Sequence, residues 1–122
     1  MNKFGSISGY GDIYPAVAFA GGDSITGWYS TATRRCYYQN RFKECSTTNY
    51  RIIKNWSRSS KRSGNSHARA DCGGEMHACV ISTSAGEIVG GYVLDHDNAH
   101  GCWGSNMYVI KGEKNVTFIN GE

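Results

Sequence analysis

The sequence lacks most of what a helical protein needs. It contains one leucine, Leu94, three Met and one Pro, and the strong helix formers Ala, Glu and Lys are scarce. Gly is abundant, with 16 residues, and Ser, Thr, Tyr, Ile and Val are plentiful, which is typical of β-sheet proteins. A chain of 122 residues has the length of one domain. We therefore predict a single, mainly β domain over residues 1–122, built as a small antiparallel sheet or sandwich with little helix.

Long apolar runs are absent as well. No segment approaches the roughly 20 apolar residues that a membrane-spanning helix requires, and Gly, Asp and Pro interrupt residues 1–20, where a signal peptide would need an apolar stretch. These absences predict a cytoplasmic protein without a membrane partner. The five Cys contain no C-x-x-C pair, which excludes zinc-finger spacing. In a reducing cytosol we expect all five thiols to stay reduced.

Alternating and β-branched segments predict about eight or nine strands. They cover residues 3–8, 13–20, 25–30, 34–38, 50–56, 76–82, 87–94, 106–110 and 115–119. The central hairpin turns at Thr83-Ser84-Ala85-Gly86, where Gly86 takes a positive φ without steric cost. The pair Gly90-Gly91 within the next strand indicates a bulge or the close approach of another backbone. No internal repeat is visible.

Acidic residues are missing between Glu44 and Asp71. Residues 57–70 contain no aliphatic side chain larger than Ala, which predicts a long, polar, basic loop. Its cations are Arg58, Lys61, Arg62 and Arg69. The formal net charge is +3, and such cations neutralise phosphate groups without reading base sequence. The loop therefore predicts a phosphate clamp, or alternatively a solvated loop without a ligand.

Aromatic side chains are concentrated between residues 28 and 56, where they alternate with cations. Cross-strand packing in the core is one explanation of this pattern. Stacking on the bases of a nucleotide or a nucleic acid is the other. For the second explanation we select Trp28, Tyr38 and Trp56 as the stacking residues.

Histidine and cysteine residues in and after the central hairpin are further candidates for a site. His77, His96 and His100 could contact the ligand of a binding protein. A zinc ion accepts mixed nitrogen and sulfur ligands, and the set for this alternative is His77, Cys79, His96, His100 and Cys102. A phosphodiester hydrolase would instead pair His77 or His96 with Glu75 or Glu87 as general base and acid, next to Arg69 for the phosphate, and for this alternative we select His77 and Glu75. No spacing enforces either alternative, so we predict no cofactor, with zinc as the alternative.

Two segments resemble the plant-and-prokaryote-conserved (PPC) domain. They are F-G-S-I-S-G-Y-G-D-I-Y-P-A-V-A, residues 4–18, and M-H-A-C-V-I-S-T-S-A-G-E-I-V-G-G-Y-V-L, residues 76–94. The resemblance implies an α+β subunit that assembles as a trimer and binds nucleic acid or a small ligand between subunits. It covers about a third of the chain, and it carries over to His77, Gly90 and Gly91. Cys79 and Tyr92 stand where prokaryotic members carry further His, so no metal site carries over.

Together these features predict a non-enzymatic binding module for an anionic, base-containing ligand, either a nucleotide signal or a nucleic acid. A small domain of this kind would act by sequestering its ligand, as phage anti-defence sponges do. The resemblance adds the expectation of a homo-oligomer. The alternatives are a small ribonuclease-like phosphodiester hydrolase and a zinc-stapled structural or interaction protein.

Overall fold

The computed structural model describes residues 2–40, 43–62, 67–68, 75–93, 101–104, 109–110 and 115–121. This part of the chain contains strands and no α-helix, and no helix in it is long and apolar enough to cross a membrane. Its thirteen strands are β1 (Gly5–Ile7), β2 (Gly11–Ala20), β3 (Asp23–Ser30), β4 (Arg35–Asn40), β5 (Lys43–Thr47), β6 (Tyr50–Ile52), β7 (Ser57–Ser59), β8 (His67–Ala68), β9 (Glu75–Thr83), β10 (Gly86–Val93), β11 (Gly101–Trp103), β12 (Val109–Ile110) and β13 (Phe118–Asn120).

The strands form two antiparallel sheets. In the first sheet β1 to β5 lie side by side in chain order, and β6 pairs with β2. In the second sheet the order is β12, β11, β10, β9, β13 and β7, and β8 pairs with β9. The prediction of a mainly β antiparallel protein is thereby confirmed.

Four short strands lie outside the segments predicted as strands: β5, β7, β8 and β11. Two of them, β7 and β8, correct the prediction of a loop throughout residues 57–70. Strands of two to five residues carry too few side chains to show a period of two. Their place is decided by pairing with a neighbouring strand, as when β7 pairs with β13.

The two sheets repeat one topology, although no repeat was expected from the sequence. Ile13 of β2 pairs with Ser30 of β3, and Met76 of β9 pairs with Val93 of β10 in the same way. Both residues of the second pair lie 63 positions after their counterparts in the first (13 to 76 and 30 to 93). Strands β1, β4, β5 and β6 likewise correspond to β8, β11, β12 and β13. The described part of the chain thus forms two equivalent halves, which residues 55–62 connect.

Few side chains reveal this duplication. Between residues 13–30 and 76–93, the positions that keep the same residue are Val17, Ile25, Gly27 and Tyr29, which correspond to Val80, Ile88, Gly90 and Tyr92. All eight contribute to the interior or its margin. Core positions of a sheet tolerate exchange among apolar residues of suitable volume. The strand pairing therefore preserves a duplication that few identical residues still show.

Each sheet curls tightly at a glycine. Cys79 on β9 and Cys102 on β11 form a disulfide with Cα atoms 6.1 Å apart, although β10 lies between their strands. In a flat sheet this distance would be about 10 Å. A Cβ atom at Gly90, opposite Cys79, would overlap the carbonyl oxygen of Trp103. The predicted close backbone approach at Gly90-Gly91 is therefore confirmed at Gly90, and the disulfide corrects the prediction of five reduced thiols.

The core fills the space between the two sheets. Ile13, Val17 and Trp28 of the first sheet join one buried cluster with Val80 and Phe118 of the second. The sheets also meet through a buried hydrogen bond, in which the hydroxyl of Thr26 on β3 donates to the carbonyl oxygen of Gly90 on β10 at 2.8 Å. This bond satisfies polar groups that would be costly to bury without a partner.

The duplication predicts that a second disulfide can be built. Ala16 and Cys36 hold in the first half the positions of Cys79 and Cys102 in the second. We expect Ala16→Cys to form a disulfide with Cys36, so that a thiol titration of the unfolded protein counts one thiol fewer than in the wild type. The control Ala18→Cys should count one thiol more, and the same gain in Ala16→Cys would show that the first half does not share the curl.

The glycine at the curl predicts a large effect of one methyl group. Gly90→Ala places a Cβ against the carbonyl of Trp103, and overpacking of this kind costs about 1–3 kcal/mol. Urea unfolding measures the loss. Gly5→Ala is the matched control because a Cβ at Gly5 has no atom within 4 Å, and equal midpoints for the two variants would contradict the prediction.

Candidate functional site

The most basic described segment connects the two halves. Residues 50–62 contain five cations and no acid, and all five side chains are exposed: Arg51, Lys54, Arg58, Lys61 and Arg62. The segment leaves β6 at the edge of the first sheet and continues as β7, which pairs with β13 in the second. We call residues 53–62 the basic arm.

Arg58 of the basic arm is held by groups of the protein itself. Its two terminal nitrogens donate to the carboxylate oxygens of Glu87 at 3.1 and 2.7 Å, and its guanidinium lies 4.8 Å from the ring centre of Phe4. The hydrogen bond from Arg58 lowers the pKa of Glu87 below its ordinary value. A phosphate group at Arg58 would compete with this carboxylate, so the predicted clamp has one member that is already paired.

Lys61 and Arg62 extend from a backbone that is held in place. The backbone nitrogen of Lys61 donates to Oγ of Ser59 at 3.1 Å, and its carbonyl accepts from Nδ2 of Asn120 at 3.5 Å. Both side chains are exposed at the surface. The fourth predicted clamp residue, Arg69, lies outside the described residues.

Two of the three predicted stacking residues are core residues. Trp28 is only 3% exposed and stacks on Tyr37, with ring centres 4.7 Å apart, while Tyr38 is 6% exposed. Burial removes their ring faces from solvent, so the prediction that Trp28 and Tyr38 stack on bases is wrong. The alternative explanation, cross-strand packing, holds for both.

Trp56 of the basic arm remains half-buried. Its indole nitrogen donates to the carbonyl oxygen of Asn2 at 2.9 Å, and its ring packs against Phe4 at 5.4 Å between centres. It is the one predicted stacking residue that keeps part of its surface in solvent.

The residues proposed for chemistry are less accessible. His77 lies on β9 opposite Tyr92 and is 4% exposed, so it cannot serve a solvent-borne phosphodiester as the predicted general base. The side chain of its predicted partner Glu75 lies outside the described residues, as do His96 and His100. Cys79 and Cys102 are bonded to each other, so the predicted zinc set loses both sulfur ligands.

The remaining described thiols do not form a reactive centre. Cys36 is fully buried, and burial raises its pKa to about 12. A thiol with this pKa is protonated at neutral pH and is a weak nucleophile. Cys45 is half-buried on the neighbouring strand, opposite Tyr38.

Sequence reasoning missed Arg51 and Lys54, which lie just before the predicted loop and share its lack of acids. That run of residues without an acid was a sufficient signal to include them. The partner of Arg58 could not be found in this way, because Glu87 is 29 residues away along the chain.

The Arg58–Glu87 pair predicts a pH-dependent stability. A carboxyl group whose pKa is lowered by folding stabilises the protein above its unfolded pKa, and this contribution is lost as the pH falls through the folded pKa. For a pair this exposed we expect Glu87→Gln to cost about 0.2–1 kcal/mol at pH 7. The difference from wild type should begin to shrink as the pH falls through about 4.3, the ordinary pKa of Glu, and disappear only below the lowered pKa of the folded state, as measured by urea unfolding. A difference that persists in acid would show that the ion pair is not its cause.

Comparisons with known proteins identify no relative of this chain. Searches with the chain against protein-family models, curated proteins and solved structures found no match. The resemblance to the PPC domain therefore stays a prediction.

Proposed function

We propose that the protein is a non-enzymatic binding module that holds the phosphate backbone of a nucleic acid on its basic arm. The observation that supports this most directly is the run of four exposed cations on the arm, Lys54, Arg58, Lys61 and Arg62, without an acid among them. Phosphate contacts of this kind supply most of the affinity of nucleic-acid binding that does not depend on sequence.

The burial of Trp28 and Tyr38 favours the phosphate backbone of a nucleic acid as the ligand over a single nucleotide enclosed in a pocket. Recognition of a single nucleotide needs polar groups and rings that converge in a concave pocket, and two of the predicted rings are not available for one. A strip of cations on an exposed arm suits an extended polyanion instead. Trp56 is the one ring on this arm that can contact an unstacked base.

The module would act by holding its ligand and not by converting it, because His77 is buried. The sequestering role and the nucleotide signal remain the alternative within this proposal. A homo-oligomer, which the resemblance predicts as a trimer, would present several basic arms and strengthen binding by avidity. Light scattering measures this state.

The compartment is a separate matter. The Cys79–Cys102 disulfide is typical of proteins from oxidising compartments. It counts against the cytoplasmic location that the sequence predicts. Binding through exposed cations does not depend on the compartment.

The arm predicts a salt-dependent affinity that two substitutions reduce. Fluorescence anisotropy with labelled single-stranded and duplex oligonucleotides, between about 50 and 200 mM salt, gives the affinity and its salt slope. We expect Lys61→Gln with Arg62→Gln to weaken binding for all sequences and to lower the salt slope by about 1 for each cation removed.

The matched control is Arg34→Gln with Arg35→Gln, which removes the same charge from two exposed residues at the turn before β4 and at its first position, where Arg35 donates to Ser46 of β5. It should change the affinity much less than the arm variant. Equal losses in the two variants, or no binding at the lowest salt, would overturn the proposal. Tighter binding of free nucleotides than of oligonucleotides would support the signal alternative against it.

A further inference from the structure

The two halves differ at one sheet edge. In the second half the outer edge of β13 pairs with β7, with Phe118 opposite Ser59, Ile119 opposite Arg58 and Asn120 opposite Ser57. In the duplication Phe118 corresponds to Ile52. Phe118 pairs with Cys79 of β9, and Ile52 pairs with Ala16 of β2, the residue equivalent to Cys79. The corresponding edge of the first half therefore begins at Ile52. Its open part is formed by Tyr50 and Ile52, because the amide of Ile53 donates to the carbonyl of Pro15 and the carbonyl of Lys54 lies against Gly121. No strand of the described chain pairs with it.

This difference changes what is buried. Tyr92, Val116 and Phe118 of the second half are 0%, 4% and 0% exposed. They belong to a cluster with Phe4 and Ile53, against which Trp56 packs, so the basic arm helps to cover them. Their counterparts in the first half are Tyr29, Tyr50 and Ile52, and all three are half-buried. The first half thus keeps an apolar margin partly open beside its unpaired edge.

The margin is a formed surface. The rings of Tyr29 and Tyr50 stack with centres 4.6 Å apart. Together with Ile52 they pack against the buried cluster of Ala16, Ala18, Ile25, Cys36, Tyr38 and Val93. A side chain laid on this margin would meet ordered rings.

The charges at the two edges are opposite. In the second half the basic arm meets Glu87, and the positions beside β7 are the neutral residues Thr117 and Asn120. In the first half the counterpart of Glu87 is Ser24, and the counterparts of Thr117 and Asn120 are the exposed cations Arg51 and Lys54. An edge with this charge repels a basic segment and attracts an acidic one.

We propose that the outer edge of β6, Tyr50–Ile52, binds an extended acidic segment of a partner protein as an added antiparallel strand. The segment forms main-chain hydrogen bonds with Tyr50 and Ile52, whose backbone groups alternate with those that bond to β2. One aromatic side chain of the segment covers Tyr29, Tyr50 and Ile52. Addition of a strand to an open sheet edge is a common mode of peptide recognition, in which main-chain bonds give affinity and side chains give specificity.

The basic arm itself supplies the probe. A labelled peptide with the sequence Ile-Glu-Asn-Trp-Ser-Glu-Ser-Ser-Glu is the arm from Ile53 to Lys61 with its three cations replaced by glutamate. We expect it to bind the wild-type protein saturably in fluorescence anisotropy. The same peptide with proline at the position of Ser59, which by the register of β7 lies opposite Ile52, keeps the charge but loses one main-chain donor. It should bind several-fold and up to about tenfold more weakly, as the loss of one hydrogen bond would cause.

Charge reversal gives the second readout. Arg51→Glu with Lys54→Glu should abolish binding of the acidic peptide and admit the unmodified basic sequence of the arm. The control Arg34→Glu with Arg35→Glu should leave both results as in the wild type. Because the peptide pair is tested on the wild-type protein, the proposal can fail even where a variant does not fold.

Three results would overturn the proposal: no saturable binding of the acidic peptide, equal binding of the proline peptide, or equal loss in the two charge-reversal variants. The Lys61→Gln, Arg62→Gln variant separates this edge from nucleic-acid binding. It should bind the acidic peptide as the wild type does, whether or not its affinity for oligonucleotides changes.

Discussion

The close approach of two backbones at a glycine is the constraint on which each half depends. At Gly27 and at Gly90 a Cβ atom would overlap the carbonyl oxygen of a residue on the next strand, Tyr37 or Trp103. Because glycine has no side chain there, β4 can fold over β3 in the first half, and β11 can fold over β10 in the second. The resulting curl brings Cys79 within bonding reach of Cys102 and closes a small apolar interior on the concave side. A larger residue would hold the strands apart and open that interior to water.

The basic arm serves as structure and as surface at once. Ile53 is buried in the cluster shared by the two sheets, and Arg58 is turned toward Glu87 and Phe4. Lys61 and Arg62 follow on the exposed side. Because β7 fixes the backbone between them, the inward contacts determine where the outward cations lie. A segment that looks like a solvated loop by composition is therefore held in place by pairing with β13.

The duplication provides an internal reference for reading the surface. Equivalent positions share one backbone geometry, so a difference in burial between them points to a difference in what covers them. Tyr29, Tyr50 and Ile52 are half-buried where Tyr92, Val116 and Phe118 are covered. The change from Glu87 to Ser24, together with the cations Arg51 and Lys54, then indicates the charge of the missing cover.

The sequence by itself determined the β class, the central hairpin with its turn before Gly86, and the close backbone approach at Gly90, because these depend on local conformation and on a period of two. Its lack of acids between Glu44 and Asp71 also located the basic segment. Only the tertiary structure decided that Trp28 and Tyr38 are buried, that Arg58 is paired with Glu87, that Cys79 is bonded to Cys102 and that the chain is duplicated. Each of these depends on residues brought together from distant parts of the chain by strand pairing and packing, which local patterns do not encode.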